Sequence, residues 1–208
     1  MNGNMITSLA ACAAIAIVAG LPLRAAKLTH RWSFNGDYAD SVGGANAEKC
    51  GTYVSLYGNR VHMGYGGCTH GTGYVNLGTN MLDTTAATIE LWARHDGVKR
   101  WARVFDYGSD TANNVFLSWT SVTTLSQNQV GSKVQGAERK VDYTTPYEIG
   151  KDYYIAATFE LQGDDVTLVK WQRRDAATGA LLTSGELTMA GGIKDGSAVN
   201  TFFKAKIE

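Results

Sequence analysis

The sequence predicts an all-β domain built as a two-sheet antiparallel sandwich of jelly-roll type. Short runs such as Thr88-Ile-Glu-Leu-Trp-Ala-Arg94 and Arg103-Val-Phe-Asp-Tyr-Gly108 alternate apolar and polar residues and favour β-branched and aromatic side chains, the pattern of half-buried strands. Glycine is abundant at 24 residues and proline scarce at 2, against 10 Tyr and 5 Trp, which suits many turns between aromatic-rich strands. No sustained helical period appears after the N-terminal leader, so βαβ units are not expected.

Ten strands are predicted, in order Thr29–Phe34, Tyr53–Tyr57, Val61–Tyr65, Gly73–Leu77, Thr88–Arg94, Arg103–Tyr107, Val115–Trp119, Tyr153–Phe159, Thr167–Arg173 and Gly185–Thr188. Turn pairs such as Asn35-Gly36, Gly43-Gly44, Asp96-Gly97 and Gly163-Asp164 separate them. The run 153–159 has few polar positions and is expected in the middle of a sheet. The run 167–173 alternates and is expected to be the outer partner of a hairpin with it, carrying Lys170 and Arg173 outward. The polar stretch Thr120–Thr145 reads as either a strand pair with long arms or a mobile excursion.

Residues 1–26 read as a secretory signal peptide. Met5–Leu23 carries no charge, Ala13–Ala19 is a compact apolar run, and small residues stand at Ala25 and Ala26 before Lys27. The same run would also serve as a retained anchor. Leu9-Ala-Ala-Cys12 has the look of a bacterial lipobox, but most of the apolar run follows that cysteine instead of preceding it. One domain over 27–208 and a secreted, cell-surface or periplasmic location are therefore expected. Lys+Arg and Asp+Glu are both 19, a balance that offers no electrostatic footprint for nucleic acid or an anionic membrane.

Leader removal leaves Cys50 and Cys68, an even pair in an exported protein. A three-residue loop Gly58-Asn59-Arg60 would pair Tyr57 with Val61 and set Cys50 opposite Cys68, at the separation a disulfide needs. Two free buried thiols are the alternative.

Several segments in order resemble the laminin-G-like (LamG) jelly rolls of the concanavalin A-like lectin/glucanase superfamily. They are Leu28-Thr-His-Arg-Trp-Ser-Phe-Asn-Gly36 with Asp40-Ser-Val-Gly-Gly44, Gly73-Tyr-Val-Asn-Leu-Gly78, Thr88–Arg94, Trp101–Gly108 and Tyr153–Phe159. The resemblance covers about residues 28 to 190. It implies a jelly roll and a final strand that 201–208 does not match. It therefore leads us to expect a sandwich lacking its last strand or strands, with a poorly packed tail after about Gly191 and a Trp32–Phe34 strand short of a partner.

Glycoside hydrolases of the wider superfamily need two carboxylates across a sugar, commonly spaced Glu-x-Asp-x-x-Glu along a strand. No such run is present. Glu90 and Asp106 each stand alone on their strands and read as hydrogen-bonded or solvent-facing acids. His30, His62, His70 and His95 lack metal-ligand spacing. The glycines at 64–67 and 71–73 are followed by no helix, so no phosphate loop is supported. Calcium is common among relatives, yet Asp110, Asn113 and Asn114 lack an EF-type spacing and read as an ordinary turn, so no cofactor is expected.

Aromatic side chains remain as ligand-binding candidates. Trp92 and Arg94 share the strand face opposite Ile89, Leu91 and Ala93. Trp119 and Trp171 also fall in predicted strands. An exposed Trp beside hydrogen-bonding groups suits sugar stacking; burial of these rings inside the sandwich is the competing reading. The expected function is a non-catalytic binding module for carbohydrate or an extracellular glycoprotein. A structural or adhesive envelope protein and an atypical glycoside hydrolase are the alternatives.

Overall fold

A computed structural model describes residues 26–63, 73–79, 86–97, 100–108, 114–121, 123–134, 137–143, 145–162, 166–190 and 204–207. The leader (apart from Ala26), Cys12, Cys68, His70, Asp110 and Asn113 lie outside them. Among the described residues there is no helix, and therefore none long and apolar enough to cross a membrane. The strands are β1 (Glu48–Cys50), β2 (Val54–Tyr57), β3 (Arg60–Met63), β4 (Tyr74–Thr79), β5 (Ala86–Arg94), β6 (Arg103–Gly108), β7 (Asn114–Ser118), β8 (Asn128–Val134), β9 (Ala137–Tyr143), β10 (Asp152–Leu161), β11 (Val166–Asp175), β12 (Leu181–Ala190) and β13 (Lys204–Ile207).

They form an antiparallel sheet ordered β1-β4-β13-β6-β7-β8-β9, a second ordered β12-β11-β10-β5, and the hairpin β2-β3. The chain is thus an all-β, two-sheet antiparallel sandwich of jelly-roll type, as the sequence predicts. Strict period-two alternation points Tyr153, Ile155, Ala157 and Phe159 of β10 into the core with Val169 and Trp171 of β11. Phe105 and Tyr107 of β6 meet Phe159 across the sandwich, with ring centroids 6.2 and 6.5 Å apart, so the core lies between the two large sheets. As expected, β10 is an inner strand. The stretch 120–145 resolves into the strand pair β8–β9.

Six expectations are corrected. β11 is not an outer strand: it pairs β10 on one side and β12 on the other. Arg173 does not point outward but is fully buried; it lies an even number of residues from Val169 and Trp171, so it must share their inward face. Its guanidinium lies 3.9 Å over the Tyr147 ring and donates to the carbonyls of Thr145 and Pro146 at 3.1 and 3.2 Å.

The stretch 29–34 is no strand beyond a single bridge, Trp32 to Asp40. The Asp40 side chain competes for its backbone: the carboxylate accepts the N–H groups of Arg31, Val42, Gly43 and Ala45 at 2.9–3.1 Å, and the His30 Nδ1–H at 2.6 Å. The indole N–H of Trp32 donates to the Ala45 carbonyl, while Trp32 and Phe34 pack on the core edge. The segment needs no strand partner.

The β2–β3 turn has two residues, not three. Gly58 and Asn59 both have φ near +60°, the type I′ geometry that matches strand twist, so Tyr57 pairs with Arg60. Cys50 is not on this ladder at all; it belongs to β1 and pairs with Tyr74 of β4. The register argument for a Cys50–Cys68 bridge therefore fails, while Cys68 itself lies outside the described residues. Finally, the expected loose tail does contribute a strand, although residues 191–203 lie outside the described residues. Residues 204–207 insert as β13 between β4 and β6, where backbone pairing on both edges serves a strand whose side chains alternate charged and apolar.

Candidate functional site

The outer face of the four-stranded sheet gathers the polar and aromatic residues that its alternation excludes from the core. The register sets them in rows across the strands. Trp92, Tyr154 and Arg174 form one; Glu90, Ala156, Gln172 and Ser184 the next; Thr88, Thr158, Lys170 and Glu186 the third.

Trp92 is 70% exposed, unusual for the largest apolar side chain. Its ring stands 5.1 Å from that of Tyr154, tilted by 56°. The Tyr154 hydroxyl donates to Glu90 Oε1 at 2.7 Å. Partial burial and the adjacent Glu90 carboxylate push the phenol up to about 12, so it remains a donor throughout the physiological range. Among the described residues Glu90 has no other hydrogen-bond partner, so its second oxygen can accept from an external donor. This corner combines a flat apolar surface, a fixed acceptor and a rigid aromatic neighbour.

Beside it, Ala156 faces outward between the taller Tyr154 and Thr158 yet is only 5% exposed. It floors an open depression of about 530 Å³, walled by Thr158, Lys170, Gln172, Ser184 and Glu186. Arg174 Nε donates to Gln172 Oε1 at 3.2 Å, leaving the Gln172 amide N–H groups to donate elsewhere. At the other end of the face, Arg60 of the hairpin grips Asp152 of β10 through both carboxylate oxygens at 2.5 and 2.9 Å. That contact holds the Asp152 carboxyl below its ordinary range against the opposing effect of burial.

The structure separates the four aromatic-site candidates. Trp92 and Arg94 do share the exposed face. Arg94, however, is engaged by Asp96, with Nε to Oδ1 at 2.7 Å and Nη2 to Oδ2 at 3.1 Å. Trp119 and Trp171 are core residues, 5% and 3% exposed, so neither presents a ring to a ligand. Trp119 packs edge-on against Tyr147 and beside His95. Burial lowers the His95 pKa, with Asp96 opposing weakly.

Glu90 and Asp106 are not brought together: one lies on the outer face of the four-stranded sheet, the other within the larger sheet beside Arg103 at 3.6 Å. Asn114 is buried, and no cluster of three metal-ligating side chains occurs among the described residues. Tyr154, Gln172 and Glu186 were not singled out from the sequence; Lys170 was expected to face outward, and it is exposed. The alternation of β10, β11 and β12 placed them on one side, but only the register sets Tyr154 beside Trp92 and gathers the others around the depression.

No protein-family model matches the chain, and no curated protein matches it significantly. Among solved structures it is similar to domain 4 of AbnA, a GH43 extracellular arabinanase from Geobacillus stearothermophilus, solved in complex with arabinotriose. That likeness has a TM-score of 0.53 at 17% identity, covering 86% of this chain and 82% of the other. It also overlaps a native heptameric SAP-like pentraxin from Limulus polyphemus at a TM-score of 0.30 and 12% identity, over 65% of this chain and 66% of that one. The AbnA likeness supports the sandwich fold, and the LamG resemblance stays at that level.

Proposed function

We propose that this chain is a secreted or surface-displayed, non-catalytic module that binds glycan on the outer face of its four-stranded sheet. The observation that carries the reading is the Trp92 ring, exposed on a regular strand and flanked by Tyr154 and the hydrogen-bonded Glu90. A sugar presents C–H groups on one face and hydroxyls at its rim. Such a ring would stack on Trp92 while a rim hydroxyl donates to Glu90. The arabinotriose complex of the similar AbnA domain supports a saccharide as ligand class.

A glycan array with the full chain, repeated with Trp92→Ala, tests this. Trp92→Ala should reduce array binding at least about tenfold, consistent with loss of one stacked ring. Its thermal midpoint should stay within about 2 °C of the parent, since so exposed a side chain contributes little to the core. Binding that survives Trp92→Ala would overturn the site. An array blank for every glycan would overturn the class and leave protein adhesion as the leading function.

A further inference from the structure

The depression over Ala156 lies on the same face as Trp92 but does not include it, and this separation bears on what length of ligand the face accepts. Resting on the glycan reading, we infer that the face binds the interior of a linear, uncharged oligosaccharide, with Trp92 as one subsite and the depression as a second.

The register supplies the distances. The depression is centred about two strand spacings from β5 and some three residues along from the Trp92 row, a separation of roughly 14 Å at ordinary sheet spacings. One sugar ring cannot touch both. A chain of several units lying obliquely across β5, β10, β11 and β12 can. Ala156 keeps the path between them low, and the tall side chains of its row are Glu90 at the β5 edge and Gln172, whose carbonyl is held by Arg174.

The lining sets the charge of the ligand. Lys170 is the cation of the depression, and Glu186 stands directly opposite it across the β11–β12 ladder. The Trp92 corner carries the Glu90 carboxylate. A uronate or sulfated sugar would find no net positive charge at either station, since Glu186 faces Lys170 in one and Glu90 offsets Arg174 at the other, whereas neutral hydroxyls find donors and acceptors at both. The depression is open, so it closes on no chain end and would admit a mid-chain segment.

Calorimetric titration of the full chain with arabino-oligosaccharide and cello-oligosaccharide ladders, from monosaccharide to hexasaccharide, tests the inference. Affinity for one ladder should climb at least about tenfold from the monosaccharide to the tetrasaccharide and then level off, the increment of a second occupied subsite. The double variant Lys170→Ala, Glu186→Ala should flatten that climb while leaving affinity for the shortest binding member unchanged. Both side chains are exposed, and circular dichroism would confirm the fold.

A flat ladder, with the monosaccharide bound as well as the hexasaccharide, would overturn the second subsite and leave the Trp92 reading intact. So would a double variant whose ladder still climbs. Binding of neither ladder, with Trp92-dependent array signals confined to acidic or branched glycans, would overturn this inference but not the proposed function.

Discussion

Asp40 organises the entry to the sandwich, and Asp40→Asn tests how. Its carboxylate is buried and accepts five hydrogen bonds: Oδ1 takes the N–H groups of Arg31, Val42 and Gly43, and Oδ2 those of Ala45 and the His30 ring. A carboxylate can only accept, so His30 Nδ1 carries the proton. Burial alone would raise the Asp40 pKa. The bonds from Arg31, His30, Gly43 and Val42 outweigh it and hold the carboxyl well below its ordinary value.

An asparagine supplies one oxygen and one NH2; with the NH2 in place of Oδ2 the His30 ring can shift its proton to Nε2 and accept, but the Ala45 N–H then faces a donor, and all the remaining bonds lose their charge assistance. The one bond lost outright accounts for about 1.5–3 kcal/mol and the weaker neutral acceptor at the others adds to it, so the expected loss is about 3 kcal/mol or more. For a chain of this size that lowers the thermal midpoint by roughly 10 °C or more. Urea unfolding followed by tryptophan fluorescence at neutral pH would measure it, with Asp37→Asn as control, since Asp37 accepts one exposed backbone bond.

A pH series adds a second readout. The native carboxyl titrates below the unfolded one, so its contribution is complete above about pH 4 and is lost progressively as acid approaches the native value. The parent should therefore lose stability more steeply than Asp40→Asn below pH 4. A variant within about 1 kcal/mol of the parent, or equal acid slopes, would refute the reasoning.

Two further outcomes follow from packing. Gly131 pairs with Phe116, and a Cβ there would run into the Phe116 ring; Gly131→Ala should cost about 1–3 kcal/mol in urea unfolding, and a neutral result would show that the ring moves aside freely. Arg173 is buried, and its Nε and Nη1 have no hydrogen-bond partner among the described residues, so its charge is poorly compensated. Arg173→Met should stay within about 1 kcal/mol of the parent because it keeps the volume, whereas Arg173→Ala should cost about 3 kcal/mol or more through the cavity. Equal losses for both, measured by the same unfolding midpoints, would mean that the charge itself stabilises.

The local pattern of the chain was enough to determine strand identity and side-chain facing. Ile89, Leu91 and Ala93 turn inward and Trp92 outward because successive residues of a strand must alternate, and β5, β6, β7, β10 and β11 stand close to where their patterns placed them. The failures arose where a non-local contact or a turn decided the outcome. Strand 29–34 gave way to the Asp40 carboxylate, because five donors converging on one side chain outbid a ladder. The hairpin register moved by one when Gly58 and Asn59 both took positive φ, and a one-residue shift in pairing redirects every partner.

The tail Lys204–Ile207 carries too little apolar surface to announce itself, yet strand insertion rewards backbone hydrogen bonds that any sequence can make. The candidate site divides the same way. Trp92 was legible because exposure follows from alternation. Its neighbour Tyr154, and Gln172 and Glu186 of the depression, were not, because they come from strands whose relative register is set by the packed sheet, and the burial of Trp119 and Trp171 depends on which sheet closes over them.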